Sequence, residues 1–222
     1  LKLDGVEALL DALTRYIPPR EWGDGFAAQV YKIARDAQGK RMTFMKLTGG
    51  ELSVRSTIIY NGADGTRHEE KITQLRIYSG LKYDTADTVR AGQVCAALGL
   101  TETYPGEGLG AQTDSAAAAM EGVMSYRVIL PTGADARVVL PKLMLLQEED
   151  PQLHIVWEPS LRSISVQLMG KVQTEVFKSL VRERFDLDVE LDAGHIMYRE
   201  TIANKVEGVG HFEPLRHYAE VH

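Results

Sequence analysis

The order of strand-type and helix-type segments over residues 123–195 constrains the fold more than any other feature of the sequence. Residues 135–149 and 171–185 carry apolar side chains at helical spacing. Short segments around them alternate apolar and polar residues, the pattern of half-buried strands: SYRVIL, LHIVW, SISVQL and LDVEL. The order β-α-β-β-α-β predicts a ferredoxin-like split βαβ domain, with both helices on one face of an antiparallel sheet. Because proline is tolerated only in the first turn of a straight helix, the first helix either begins near Pro141 or kinks there.

Residues 25–100 have the composition of an all-β domain. Turn signals at Gly39, Gly49-Gly50 and Asp64-Gly65 separate runs that are rich in β-branched and aromatic residues: AAQVYKIA, RMTFMKLT, LSVRSTIIY, EKITQLRIY and GQVCAALGL. About five or six strands in this length suit a small closed barrel, because closure leaves no exposed sheet edge. The predicted fold class is therefore mixed β and α+β, with a small antiparallel β-barrel followed by the ferredoxin-like domain.

The remaining segments predict how the chain is divided. Residues 4–17 have the pattern of an amphipathic helix, with an Asp4/Glu7 capping box at its start and Pro18-Pro19 after its end. Residues 101–122 are rich in small residues and acids and predict a linker. Because the chain begins at Leu1 and ends inside an apparent strand, we expect an excised fragment of a longer protein. The predicted segments are 1–24, 25–100, 101–122, 123–195 and an incomplete further unit, 196–222.

Composition and charge exclude several classes of protein. Hydrophobic residues make up 44% and charged residues 25% of the chain, which excludes a disordered, collagen-like or disulfide-rich protein. No run approaches the ~18 apolar residues of a membrane span, and a single cysteine, Cys95, indicates a reducing compartment. The net charge is −6, yet residues 25–100 hold eleven Lys/Arg against seven Asp/Glu. That basic surplus is either scatter in a small count or a surface that binds phosphate.

Motifs for nucleotide and metal chemistry are missing from the sequence. No GxxxxGK[ST] loop is present, so we expect the chain by itself neither to bind nor to hydrolyse GTP. Residues 204–207, Asn-Lys-Val-Glu, only approximate a guanine-reading box, since the last residue is Glu. The glycine run over residues 106–110 is not followed by an amphipathic helix, as a phosphate-binding loop requires. The histidines near the end of the chain are too widely spaced to predict a metal site: His211, His217 and His222.

The succession of elements resembles the middle of a translational GTPase of the elongation factor G type. The most specific matches are Glu148-Glu149-Asp150-Pro151, Gly170 with the helix after it, and Tyr198-Arg199-Glu200-Thr201-Ile202. The resemblance implies that residues 1–24 contain the last helix of a missing GTPase domain and a linker. It also makes residues 25–100 domain II, residues 123–195 domain III, and residues 196–222 the start of domain IV. GTP and Mg²⁺ would be cofactors of the parent protein, and this part of it would be noncatalytic.

One motif points to a branch of this family. Gly170-Lys171-Val172-Gln173, with Glu175 shortly after it, is similar to the tetracycline-resistance ribosomal protection proteins, which bind the ribosome with GTP and dislodge tetracycline. Residues 199–202, Arg-Glu-Thr-Ile, are closer to elongation factor G itself. We favour the protection branch. The alternatives are a fragment of elongation factor G that serves tRNA translocation, a free-standing RNA-binding adaptor, and a small-molecule enzyme with a site between its domains.

The resemblance turns the basic surplus into a predicted contact with ribosomal RNA. The residues predicted to contact phosphates are Lys40, Arg41, Lys46, Arg55 and Lys71, with Arg76, Lys82 and Arg90 as further candidates. A second group is predicted to contact the ribosome or a neighbouring domain: Gly170, Lys171, Gln173 and Glu175. Lys171 supports this, because a cation at a helix N-terminus opposes the helix dipole. The expected partners are small-subunit ribosomal RNA, ribosomal proteins, and the missing GTPase and C-terminal domains, in the cytoplasm and away from membranes.

Overall fold

The computed structural model describes residues 4–17, 20–116, 122–198, 204–205, 207, 210–212 and 219–221. Most of them form two units, which we call the barrel (residues 20–116) and the α+β unit (residues 122–198). The helices are α1 (Val6–Tyr16), α2 (Ala136–Glu149) and α3 (Lys171–Phe185), and a 3-10 helix spans Pro151–Leu153.

The barrel consists of antiparallel strands: β1 (Ala27–Arg35), β2 (Arg41–Gly49), β3 (Glu51–Ser53), β4 (Thr57–Asn61), β5 (Arg67–Lys71), β6 (Gln74–Ser79), β7 (Lys82–Ala86), β8 (Thr88–Arg90), β9 (Val94–Leu98) and β10 (Gly108–Gly110). One sheet has the order β10-β1-β2-β9-β6-β7, and the pairs β3–β8 and β4–β5 lie beside it. Since β10 also approaches β4, the strands surround one core, with Ile33, Met45, Leu47 and Leu75 fully buried. The predicted barrel-like fold is confirmed.

Two of the predicted strands are each divided in the structure. Residues 52–60 contribute to β3 and β4, and residues 70–78 contribute to β5 and β6. The first break is at Arg55, which has a φ of 73° and donates its backbone N–H to the Ile72 carbonyl oxygen at the second break. Sequence reasoning misses β7 and β8 because most of their residues are exposed, so they carry no apolar alternation.

The prediction of a linker over residues 101–122 is wrong for its first part. β10 pairs with β1 inside this range. Several side chains of the segment are buried in the barrel: Thr103, Glu107 and Leu109. A Cβ at Gly110 would collide with the Phe26 carbonyl oxygen, so the close pairing of the two strands requires glycine. The small residues that suggest a linker therefore serve strand packing, and the remaining residues 117–121 lie outside the described part of the chain.

The α+β unit contains the strands β11 (Met124–Ile129), β12 (Val156–Glu158), β13 (Ser163–Leu168), β14 (Glu190–Leu191) and β15 (His195–Ile196). Its antiparallel sheet has the order β12-β13-β11-β14, so the first and third strands are central, as in a split βαβ fold. The helices α2 and α3 contribute buried side chains to a common core with this sheet, among them Leu143, Leu146, Phe177 and Val181. The predicted ferredoxin-like domain is confirmed.

Two details of the α+β unit sharpen the prediction. α2 begins at Ala136, where the Asp135 side chain accepts a hydrogen bond from the Arg137 N–H, and exposed Pro141 lies within the helix. The alternative that the helix starts at Pro141 is therefore wrong. β15 pairs with β11, so the chain stays in this sheet at residues 195 and 196, where the next unit is predicted to begin.

The two ends of the chain carry elements outside these units. α1 leaves its apolar side chains exposed, including Leu9 and Leu10, and its N-cap is Gly5 rather than the predicted Asp4. β16 (Gly210–Phe212) and β17 (Ala219–Val221) form a separate antiparallel pair. Residues 199–202 of the resemblance, and His217 and His222, lie outside the described residues. Within the part of the chain that the structure describes, no helix is both long and apolar enough to cross a membrane.

Candidate functional site at the joint between the two units

Two arginines of the barrel meet one glutamate of the α+β unit. Arg35 ends β1 and Arg41 begins β2, and the strand register places them directly opposite each other. Like charges in this position repel, so the pair needs a neighbouring anion. Glu148 in the last turn of α2 supplies it, with its Oε2 lying 2.8 Å from Nη2 of Arg35 and 3.3 Å from Nε of Arg41. We call this contact the joint.

Arg41 makes further hydrogen bonds within the barrel. Its Nη1 donates to the Leu100 carbonyl oxygen at 3.1 Å and to Oγ1 of Thr103 at 2.9 Å, and its Nη2 donates to the Thr103 carbonyl oxygen. The Thr43 and Thr103 hydroxyls, 2.7 Å apart, complete the network. Only 11% of the Arg41 side chain is exposed, and most of its donors are used within the protein. The structure therefore corrects the predicted phosphate contact of Arg41, which serves the joint instead.

Glu148 and its neighbour Glu149 occupy an unfavourable position for acids. The last turn of α2 contains no base, and the partial negative charge of a helix C-terminus disfavours a carboxylate by about 0.3–1 kcal/mol. Each glutamate has a cationic partner on a different element. Glu148 binds the barrel arginines, whereas Glu149 accepts two hydrogen bonds, of 2.6 and 2.8 Å, from the Arg184 guanidinium on α3. These adjacent residues thereby connect α3, α2 and the barrel.

A buried carboxyl group lies in the segment that Arg41 holds. Glu107 is 2% exposed, and its Oε2 accepts a hydrogen bond from the Tyr104 N–H at 3.1 Å. Among the described residues its Oε1 has no hydrogen-bond partner. Burial raises the pKa of Glu107 to about 7; the Asp114 carboxylate adds to the rise, while the Tyr104 N–H and Arg41 oppose it. Glu107 is therefore a group that changes its charge near neutral pH.

Cavities adjoin the joint. One, of about 290 Å³, is lined mostly by apolar side chains of α2 and α3, together with Lys32 and Ile33 of β1. Another, of about 400 Å³, lies between residues 101–105 and the end of α2, with Arg41 and Glu148 in its wall. The two units therefore meet at a polar contact with open space around it. Interfaces of this kind, small and polar, permit relative motion of the bodies they connect.

The residues predicted at the start of α3 are used in different ways. Gly170 is the N-cap of the helix and Lys171 is exposed. Gln173 accepts a backbone hydrogen bond of 2.5 Å and lines the smaller cavity. Glu175 pairs with Lys178 at 2.9 Å on the same helix. Only the Lys171 side chain is free of these internal roles, and the contact of the four residues with a partner stays a prediction.

The exposed bases of the barrel do not all lie together. Lys40 precedes β2, and Lys46 is six residues further along, roughly 20 Å away in an extended strand. Arg55 and Lys71 lie at the break between β3 and β4 and at the end of β5. Phosphate binding by these four residues stays a prediction. Arg76 is different, because it is buried and pairs with Asp36 at 3.1 Å, which makes it unavailable to RNA.

Sequence reasoning misses a cationic and aromatic cluster around Trp22. The Arg20 guanidinium lies 4.9 Å and the Lys46 ammonium 5.8 Å from the centre of the Trp22 ring. The ring also packs on Gly92, where a Cβ would come within 3.2 Å of the indole Nε1. The spacing of Arg20 and Trp22 is a weak signal, and the approach of Lys46 and Gly92 is set by tertiary structure.

Comparison with known proteins tests the resemblance. No protein-family model matches the chain. Elongation factor G of Amoebophilus asiaticus (strain 5a2) is 27% identical over 231 residues, covering 93% of this chain and 32% of that protein. Elongation factor G 2 of Syntrophus aciditrophicus (strain SB) is 25% identical over 238 residues, covering 96% of this chain and 35% of that protein. The chain thus spans about a third of the length of these curated relatives.

A solved structure supports the fold. A crystal structure of a protein from Thermus thermophilus matches with a TM-score of 0.66 and 20% identity, over 97% of this chain and 34% of that one. The fold and the relatives together define a chain similar to translational elongation factors over almost its whole length. The particular factor it is similar to is elongation factor G, which confirms the broad resemblance. Neither relative carries the name of a tetracycline protection protein, and that narrower assignment stays a prediction.

Proposed function

We propose that this chain is the noncatalytic, ribosome-binding middle part of a translational GTPase of the elongation factor G type. The observation that carries the proposal is the joint, in which adjacent glutamates of α2 connect α3 with Arg41 of the barrel. Similarity to elongation factor G over nearly the whole chain supports it. GTP, Mg²⁺ and the hydrolysis reaction would belong to the rest of the parent protein, which would act in the cytoplasm.

In this proposal the barrel binds small-subunit ribosomal RNA and the α+β unit transmits the state of the nucleotide domain. Exposed Lys40, Lys46, Arg55 and Lys71 would supply charge for phosphates. A shift of α3 would act through Arg184 on the end of α2 and from there on the barrel. A partly exposed ion pair such as the joint is worth about 0.2–1 kcal/mol, weak enough to open when the units rearrange.

Binding to small ribosomal subunits across a salt series tests this function. We expect Lys40→Glu, Lys46→Glu and Lys71→Glu, combined in the whole chain, to weaken binding. Each phosphate contact that is lost should flatten the slope of log K against log salt by about 0.7–0.9. The matched control is Arg137→Glu, which reverses one exposed charge at the start of α2. If the triple variant keeps the original slope, the barrel's charge does not serve RNA binding.

For the finer activity we propose ribosomal protection against tetracycline, with tRNA translocation as the second candidate. The Gly170-Lys171-Val172-Gln173 sequence supports the first, and the two relatives named elongation factor G support the second. The full-length parent, added with GTP to ribosomes that carry labelled tetracycline, distinguishes them. Release of the drug supports protection. Movement of tRNA in a puromycin assay without drug release supports translocation.

A further inference from the structure

The barrel sheet carries a row of aromatic rings on its outer face. Neighbouring rings lie 6.3 Å (Tyr31 to Phe44), 5.5 Å (Phe44 to Tyr78) and 5.3 Å (Tyr78 to Tyr83) apart between their centres. These residues come from β1, β2, β6 and β7. The row therefore crosses the sheet at right angles to its strands. With neighbouring strands about 4.8 Å apart, four strand intervals span roughly 19 Å.

A small side chain in the central strand makes the row continuous. β9 lies between β2 and β6, and its residue Ala96 is opposite Phe44 on one side and Arg76 on the other. Ala96 is fully buried under a small cluster on this outer face, to which Phe44 and Tyr78 belong. A larger residue there would keep the two rings apart. The sheet is thus built so that its outer surface presents adjoining rings.

The ends of this row are open to solvent. Tyr31 is 50% exposed and Tyr83 is 44% exposed. Neither is part of the core inside the barrel. Arg76 supports the Tyr83 ring, with its guanidinium 4.4 Å from the ring centre and its charge compensated by Asp36. The rings are therefore held in place while their outer surfaces remain accessible.

Cationic groups lie over several of the rings. The Lys32 ammonium lies 5.7 Å from the centre of the Phe44 ring. Lys46 is two residues after Phe44 on β2, so it points to the same face, and it connects the row to Trp22 and Arg20. This face therefore combines five aromatic rings with four ring-bound cations, a composition complementary to a polyanion that carries flat, unstacked rings.

We propose that this face, which we call the aromatic row, binds an unpaired RNA strand. Bases stack on the exposed rings of Tyr31 and Tyr83, and phosphates contact Lys32 and Lys46. Sheet faces of this kind stack two or three bases, and stacking tolerates any sequence because every base has a π face. The inference rests on the proposed function and deepens it, because it names the form of RNA that the barrel recognises. A duplex would satisfy the lysines and leave the rings unused.

Fluorescence anisotropy with the whole 222-residue chain tests the aromatic row. The probes are a labelled octamer of uridine and a duplex of the same length. We expect the single strand to bind more tightly, and Tyr31→Ala and Tyr83→Ala each to weaken it about tenfold or more, as loss of a stacked base does. Tyr83→Phe keeps the ring and should keep the affinity. Tyr198→Ala, at a tyrosine that is 83% exposed and outside the aromatic row, is the matched control.

Two further measurements make each outcome decisive. Tyr31→Leu and Tyr83→Leu preserve apolar packing without an aromatic ring. They should stay folded and lose affinity for the single strand, so they test stacking even if the alanine variants unfold. Sedimentation with small ribosomal subunits tests the proposed function separately. If the chain still binds small subunits and the leucine variants bind the octamer as tightly as the wild type, the aromatic row alone is overturned. If the chain binds neither the octamer nor small subunits, both proposals are overturned. If a proline-rich peptide displaces the octamer, the ligand of this face is a protein, and the aromatic row is overturned as an RNA site.

Discussion

The joint and the aromatic row use positive charge in opposite ways. At the joint, Arg41 is nearly buried and directs its guanidinium group at the Glu148 carboxylate and at the acceptors of Leu100 and Thr103. On the outer face, Lys32 and Lys46 are exposed and lie over aromatic rings. A planar guanidinium makes several directed hydrogen bonds, whereas a compact ammonium group retains its water. The basic surplus of residues 25–100 therefore includes two populations, nearly buried arginines such as Arg41 that hold the structure and exposed bases such as Lys32 and Lys46 that can face a ligand.

Removal of Arg41 should have the largest effect on stability. We expect Arg41→Ala to lower the free energy of unfolding by about 2–3 kcal/mol, because it removes charged hydrogen bonds to Glu148, Leu100 and Thr103 and leaves buried acceptors unpaired. Urea denaturation measures the change. The adjacent exposed Lys40 is the control, and Lys40→Ala should shift the free energy by less than about 0.5 kcal/mol. Equal effects of the two substitutions would remove the distinction between the populations.

Glu107 lies near Arg41 but should make the stability of the chain depend on pH around neutrality. Because burial raises the pKa of Glu107 to about 7, above its value in the unfolded chain, its contribution to stability is fully present below about pH 4.5 and is lost as the pH rises through 7. The effect of Glu107→Gln on the free energy of unfolding, relative to the wild type, should therefore be more favourable at pH 8 than at pH 5 by about 2 kcal/mol. Urea midpoints at both pH values, compared with the wild type, measure this difference. A constant difference between variant and wild type would show that Glu107 does not titrate in this range.

Glu70 provides a control with the opposite sign. Burial alone would raise the pKa of Glu70, but hydrogen bonds from Thr101 and Tyr60 outweigh it and lower the pKa. Its contribution is therefore present above the unfolded pKa and is lost as the pH falls through the folded one. Glu70→Gln should cost stability at pH 7 and progressively less in acid, in contrast to Glu107→Gln.

Substitution of Glu148 or Glu149 should have a smaller effect on stability and distinguishes the contact with the barrel from the contact with α3. We expect Glu148→Gln to weaken the coupling between the barrel and the α+β unit by about 0.5–1 kcal/mol, since the pair is partly exposed. Scanning calorimetry should show two unfolding transitions that move further apart. Glu149→Gln, which loses Arg184 within the α+β unit, should move only the transition of that unit. A single transition that shifts equally in both variants would mean that the units unfold as one body.

The sequence predicts the α+β unit better than the barrel for a physical reason. Long helices and strictly alternating strands such as residues 163–168 each bury one face, so their periodicity survives in the sequence. Short barrel strands such as Thr88–Arg90 bury one residue and leave no pattern. The joint escapes prediction because Arg41 and Glu148 are 107 residues apart, and charge counting cannot distinguish a buried arginine from an exposed one. Glu148 and Gly170 stand out only through resemblance to a family.

The exposed lysines of the aromatic row should show the smallest effect on stability. We expect Lys32→Ala and Lys46→Ala each to change the free energy of unfolding by less than about 0.5 kcal/mol, because an exposed ammonium group over a ring contributes little to folding. The same two variants should nevertheless flatten the salt dependence of RNA binding, since each removes one phosphate contact. Urea denaturation and anisotropy on the same preparations measure both quantities. A loss of stability as large as that of Arg41→Ala would place these lysines among the structural cations, and the ligand-facing population would then have to be sought elsewhere on the barrel.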